Sequence, residues 1–107
     1  MGLINKFTAR PSANFKEELK NIIYHIRVRL KEPLVTEKLY NNVVKKIYSL
    51  TFMPERYARI YNSKDKTRNI RKLPVNNYLI IYEINKNTGQ VFILHIFHCS
   101  QDYFNLI

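Results

Sequence analysis

A group of polar side chains towards the C-terminal end has the types that phosphodiester chemistry uses: Arg68, Arg71 and Lys72, then His98, Gln101 and Tyr103. Cutting RNA without a metal needs a base for the 2′-hydroxyl, cations for the charged phosphorane and an acid for the leaving 5′-oxygen. An unperturbed imidazole titrates near neutrality, the property that lets a histidine such as His98 serve as acid or base. Arg71 and Lys72 can hold a phosphate, Arg71 through a two-pronged fork. Tyr103 can stack on a base or donate a proton. Arg68, Arg71 and Lys72 are equally the cations expected to meet an acidic target of any kind.

Each of these residues also has a plainer reading. A histidine at the end of a strand is commonly a solvated surface residue. Arg71 and Lys72 are adjacent, so on a strand they point to opposite faces and at most one serves a given site. Tyr103 can simply pack a terminal turn. Cys99 lies beside His98, yet nothing in the sequence supplies an oxyanion hole or an orienting third residue for a nucleophile. His95 alternates with Val91, Ile93 and Phe97 and reads as a partly buried strand residue, and His25 falls between helical core positions.

The elements that position these side chains follow from periodicity. Residues 78–84 and 91–97 are rich in β-branched and aromatic types, and Asn85-Lys86-Asn87-Thr88-Gly89 between them tolerates left-handed backbone, so the stretch reads as an antiparallel hairpin. Residues 70–75 form a further strand, with Pro74 near an edge or a strand end. Upstream, apolar residues recur at Phe15, Leu19, Ile22, Ile26 and Leu30, the period of an amphipathic helix. Asn14 and Glu17 make a capping box at its start, and Pro33 ends it. A second helix begins with Thr36 as its cap and carries Leu39, Val43, Ile47 and Leu50 as its stripe, widened by Tyr40, Val44 and Tyr48. The short connection makes the two helices an antiparallel hairpin, and both stripes read as core. Residues 4–9 can add a short first strand, stopped by Arg10-Pro11. Residues 62–67 read as an exposed loop, and 101–107 as a terminal helical turn. The order β-α-α-β-β-β predicts an α+β fold: an antiparallel sheet with the helical hairpin on one face and the other face free for a site.

Composition bounds the function. At 107 residues the chain is one domain able to bury a single modest core without disulfides. Its formal charge of +10 points to an anionic partner: nucleic acid, an acidic protein or an anionic membrane surface. The basic residues are spread over the chain, so the charge belongs to the folded surface. The lone Cys99 excludes an internal disulfide and suits a reducing cytosol, and no apolar run approaches the roughly twenty residues that span a bilayer. A soluble, cytoplasmic protein with no cofactor, no metal and no membrane partner is expected.

The order and spacing of Met53-Pro54-Glu55-Arg56-Tyr57, then I-R-K-L-P-V-x-N-Y-L-I-x-Y from Ile70, then V-x-I-L-x-I-x-H from Val91 closing on Gln101-Asp102-Tyr103, resembles the RelE/ParE superfamily of toxins from type II toxin–antitoxin modules. The resemblance covers roughly residues 4 to 103. It implies a toxin held inactive by an acidic antitoxin encoded beside it, and the net charge suits that partner. RelE-like members cut mRNA on the ribosome and would use Arg71, His98 and Tyr103; ParE-like members poison DNA gyrase. One departure separates the two. RelE-like nucleases commonly carry, after the Tyr of the middle strand, an Arg that contacts the RNA phosphate, whereas this chain has Leu79 after Tyr78. Two long helices and that missing cation favour the ParE-like reading. A ribosome-dependent endoribonuclease is the alternative, and a non-toxic basic nucleic-acid-binding module a further one.

Overall fold

The computed structural model describes residues 6–60 and 67–101. Tyr103, the terminal turn, the start of the expected first strand and most of the 62–67 loop lie outside the described residues. The elements run β1 (Thr8–Pro11), α1 (Ala13–Tyr24), a π turn (His25–Arg29), α2 (Pro33–Ser49), a 3-10 turn (Pro54–Arg56), β2 (Ile70–Val75), β3 (Tyr78–Asn85) and β4 (Gln90–His98). This is the expected α+β order.

The sheet is mixed where an antiparallel one was expected. Its strand order is β1-β4-β3-β2; β2, β3 and β4 are antiparallel neighbours, while β1 lies parallel to β4, pairing Thr8 to Gln90 and Pro11 to Ile93. Parallel neighbours need a long crossover between them, and the helical hairpin together with β2 and β3 supplies it. The first strand also begins later than its alternation suggested and includes Pro11, which an edge strand tolerates.

Two tight reversals fix the register. Val75 pairs with Tyr78, so β2 and β3 are joined by Asn76-Asn77, with Asn76 at φ 52°. Asn85 pairs with Gln90; its Oδ1 accepts the N–H groups of Asn87 and Thr88, and Gly89 takes φ 67°, where a side chain would be strained. A bulge follows in β4: Ile81 pairs with His95 but Tyr82 with Ile93, leaving Leu94 extra.

The helix starts differ from expectation. Ser12, not Asn14, caps α1: its Oγ accepts the Phe15 N–H at 3.0 Å and donates to the Leu94 carbonyl at 2.9 Å, so one hydroxyl caps the helix and ties it to β4. Helix α2 begins at Pro33, which needs no N–H partner in a first turn; Thr36 is buried and returns its hydroxyl to the Glu32 carbonyl.

The main core lies between the helices and the sheet, with Phe15, Ile26, Leu39, Val43 and Leu50 packed against Leu73, Ile80, Tyr82, Val91 and Ile96. The opposite sheet face is not wholly free: Ile60 packs there on Ile70, Ile81 and Phe97, because the backbone around it runs beside β2, Ile60 N–H to the Ile70 carbonyl and Lys72 N–H to the Ala58 carbonyl.

Candidate functional site

Alternation along β2 sends Arg71 to the helix side, with Leu73 and Val75, and Lys72 to the far side, opposite Ile81. Arg71 is drawn into the fold. Its Nη1 donates to the carbonyls of Glu55 at 2.7 Å and Tyr57 at 2.8 Å, and its Nε to Asn69 Oδ1 at 3.0 Å. Glu55 Oε2 stands 3.9 Å from Nη2, and the side chain is only 14% exposed. On the neighbouring strand the Tyr82 hydroxyl, fully buried, donates to the Pro54 carbonyl at 2.5 Å. Burial pushes that phenol well above its ordinary pKa, an effect the nearby Arg71 charge only partly opposes. Arg71 and Tyr82 therefore clasp the Pro54–Tyr57 backbone from below. The short motif around Pro54 and the longer one from Ile70 to Tyr82 are one structural unit.

His98 sits elsewhere. It pairs with Tyr78 at the far end of β4, its ring edge-on to the tyrosine at 5.4 Å. Arg71 is four residues along β2 from Val75, the partner of Tyr78, which puts it about 13 Å along the strands and two strand spacings, about 10 Å, across. The structure does not bring Arg71 and His98 together. The His98 ring is exposed, and its Nδ1 accepts the Ser100 N–H at 3.2 Å and lies 2.7 Å from Ser100 Oγ. In the neutral ring the proton then resides on Nε2, which can donate outwards. His98 N–H donates to Gln101 Oε1, and Cys99 N–H to the Asn77 carbonyl, closing this end of the sheet.

Arg68 flanks β2 on the far side. It forms a two-pronged pair with Glu83, Nη2 to Oε1 at 2.7 Å and Nε to Oε2 at 2.9 Å, and borders a polar cleft of about 500 Å³ with Arg59 and Lys86. Leu79 lies half-buried on the same face, packed against the cluster that holds Phe97.

One pairing had no signal in the sequence. Glu18 of α1 reaches past the end of β1 to His95, Oε2 3.1 Å from Nδ1, while its Oε1 accepts the Ile96 N–H at 3.1 Å. β1 covers β4 only as far as Ile93, so Glu18 shields the uncovered edge beyond.

An apolar groove of about 540 Å³ opens between the two helices, with Ala9 and Pro11 of β1 also along it. Leu19, Val43, Ile47 and Tyr48 line it, and Lys16 and Lys20 border it. Tyr40, Val44 and Tyr48, expected in the core, are about half exposed here.

Comparison with known proteins gives the fold relatives. Solved structures similar to this chain include one from the chromosomal ParDE system of P. aeruginosa, with 17% identity and a TM-score of 0.69, covering 88% of this chain and 97% of that one. A chain of the RelBE2 toxin–antitoxin complex from Mycobacterium tuberculosis aligns with 16% identity and a TM-score of 0.61, over 90% and 94%. One of the archaeal RelE–RelB complex from Pyrococcus horikoshii OT3 aligns with 13% identity and a TM-score of 0.64, over 90% and 98%. No curated protein sequence matches. The sequence family described as ParE toxin of type II toxin-antitoxin system, parDE, matches residues 10–103, and with 94 of 107 positions inside that match the chain belongs to the ParE toxin family.

Proposed function

We propose that this toxin acts by binding DNA gyrase and not by cutting RNA, and that an acidic antitoxin neutralises it by occupying the groove on the helical hairpin. The observation that carries the first half is the commitment of Arg71 to the Glu55, Tyr57 and Asn69 oxygens. A guanidinium that holds the backbone of its own chain is not available to stabilise a phosphorane, and its distance from His98 leaves that histidine without the cation the nuclease reading pairs with it. Leu79 offers no charge on the same sheet. Arg68 and Lys72 lie on the far face, Arg68 already paired with Glu83, and contact of that face with an acidic or DNA-bound target is part of this proposal.

The second half rests on the groove. An apolar floor between two helices with lysines along its border fits an amphipathic helix bearing carboxylates. The solved relatives are described as toxin–antitoxin systems or complexes, which supports such a partner here.

Induced expression separates the readings. Gyrase poisoning predicts a DNA-damage response with cellular mRNA intact by primer extension. Cuts inside codons that disappear in His98→Ala would establish the endoribonuclease and overturn this proposal.

A further inference from the structure

We infer that the tip of the helical hairpin is a second docking surface, a preformed apolar wedge that seats in an acid-rimmed apolar notch of the toxin's protein target, apart from the antitoxin groove. The inference rests on reading the chain as a toxin that acts by binding. Tyr24, Val28, Leu30, Leu34 and Val35 are all exposed around one turn, Leu34 to 73% and Leu30 to 53%. Leu30 stands four residues after the buried Ile26, where a continuing α-helix would return it to the core. The π turn over His25–Arg29 rotates it off that stripe into solvent. Such turns are rare and concentrate at functional positions.

The tip is rigid as well as apolar. Leu30 N–H bonds the His25 carbonyl and Glu32 N–H the Ile26 carbonyl. Lys31 takes φ 53°, and Pro33 starts α2 at once. Thr36 closes the turn by bonding the Glu32 carbonyl through both its N–H and its hydroxyl. A backbone fixed this way has little freedom left to lose on docking. Arg27, Arg29 and Lys31 surround them, so the complementary surface is acidic at its rim and apolar within. Glu32 and Glu37 stand among these cations, a mixed-sign rim that a patterned protein surface can match charge for charge and a uniformly anionic bilayer cannot. A protein notch is therefore favoured over a membrane.

The test is the double variant Leu30→Ser/Leu34→Ser, compared with the wild type for growth arrest on induction and for Tm. Both residues are exposed, so an unchanged Tm is expected, with arrest lost or the inducer requirement raised at least about ten-fold. Arg27→Glu/Arg29→Glu, at solvated positions, should give the same loss and guards against misfolding of the first variant. Arrest retained by both variants overturns the wedge and leaves the gyrase reading intact. No arrest by the wild type overturns the toxin reading and the wedge with it. Wild-type binding to phosphatidylcholine–phosphatidylglycerol vesicles that the leucine variant loses overturns the protein notch in favour of lipid.

Discussion

Adjacent residues on α2 have opposite surroundings. Leu39 and Val43 are almost fully buried, whereas Tyr40 and Val44, each the next residue along, are about half exposed. Neighbours on a helix are separated by roughly 100°. The apolar arc of α2 is thus wider than the one face the sheet can cover. Its inner edge belongs to the core, Val43 forms the floor shared by core and groove, and its outer edge faces the groove. The excess width of an apolar stripe, and not the stripe itself, is the feature that marks a helix with a partner still to come.

Breaking the inner edge should have the largest effect. Leu39→Ala removes a buried side chain from the contact between α2 and the sheet and should cost about 2–5 kcal/mol, lowering Tm by at least about 8 °C in a thermal melt. A shift below about 2 °C would show that the core does not depend on α2.

The outer edge should behave in the opposite way. Tyr40→Glu/Val44→Glu should change Tm little and weaken antitoxin binding by at least about 100-fold, since it sets carboxylates against an acidic partner at the centre of its site. Growth arrest should then persist despite co-expressed antitoxin. Unaltered co-purification of the two proteins would remove the groove from the interface.

This contrast also explains which parts of the molecule were legible in the sequence. Local patterns were: the β3–β4 hairpin from its Asn/Gly loop, the helices from their periods, and the family from the order of three motifs. What depended on a distant partner was not. The parallel pairing of β1 with β4, the cap shared by Ser12 and Leu94, and the Glu18–His95 contact join residues far apart in the chain, and no local pattern encodes them. That Arg71 and Lys72 must face opposite ways was readable. That Arg71 faces inward was not, because its backbone acceptors, the carbonyls of Glu55 and Tyr57, come within reach only once the 3-10 turn has folded beside β2. The π turn was hidden for a related reason: His25–Arg29 carries a valid α-helical pattern up to Leu30.

A smaller effect is expected at the clasp, on the core side of the same sheet. Tyr82→Phe keeps the ring but leaves the Pro54 carbonyl without its donor, at a cost of about 1 kcal/mol. The pH dependence sharpens this. The folded phenol is raised above 10.0, so its contribution is fully present below pH 10 and falls as the pH rises further, because the unfolded chain ionises first. Urea midpoints measured from pH 8 to 11 should decline less steeply in the variant. Parallel curves would mean that another group governs alkaline unfolding.

The smallest effect should be that of His98→Ala. Its ring is exposed, and its contacts are the edge of Tyr78 and the Ser100 turn, so stability should move by no more than about 0.5 kcal/mol. If the toxin acts by binding through its helices, growth arrest should be unchanged as well. That outcome would set His98, at the solvated end of the sheet, apart from the surfaces proposed to meet the target. Loss of arrest with stability intact would reverse the assignment: the exposed Nε2 would then be the working atom, and the outer surface of the helices would serve neutralisation alone.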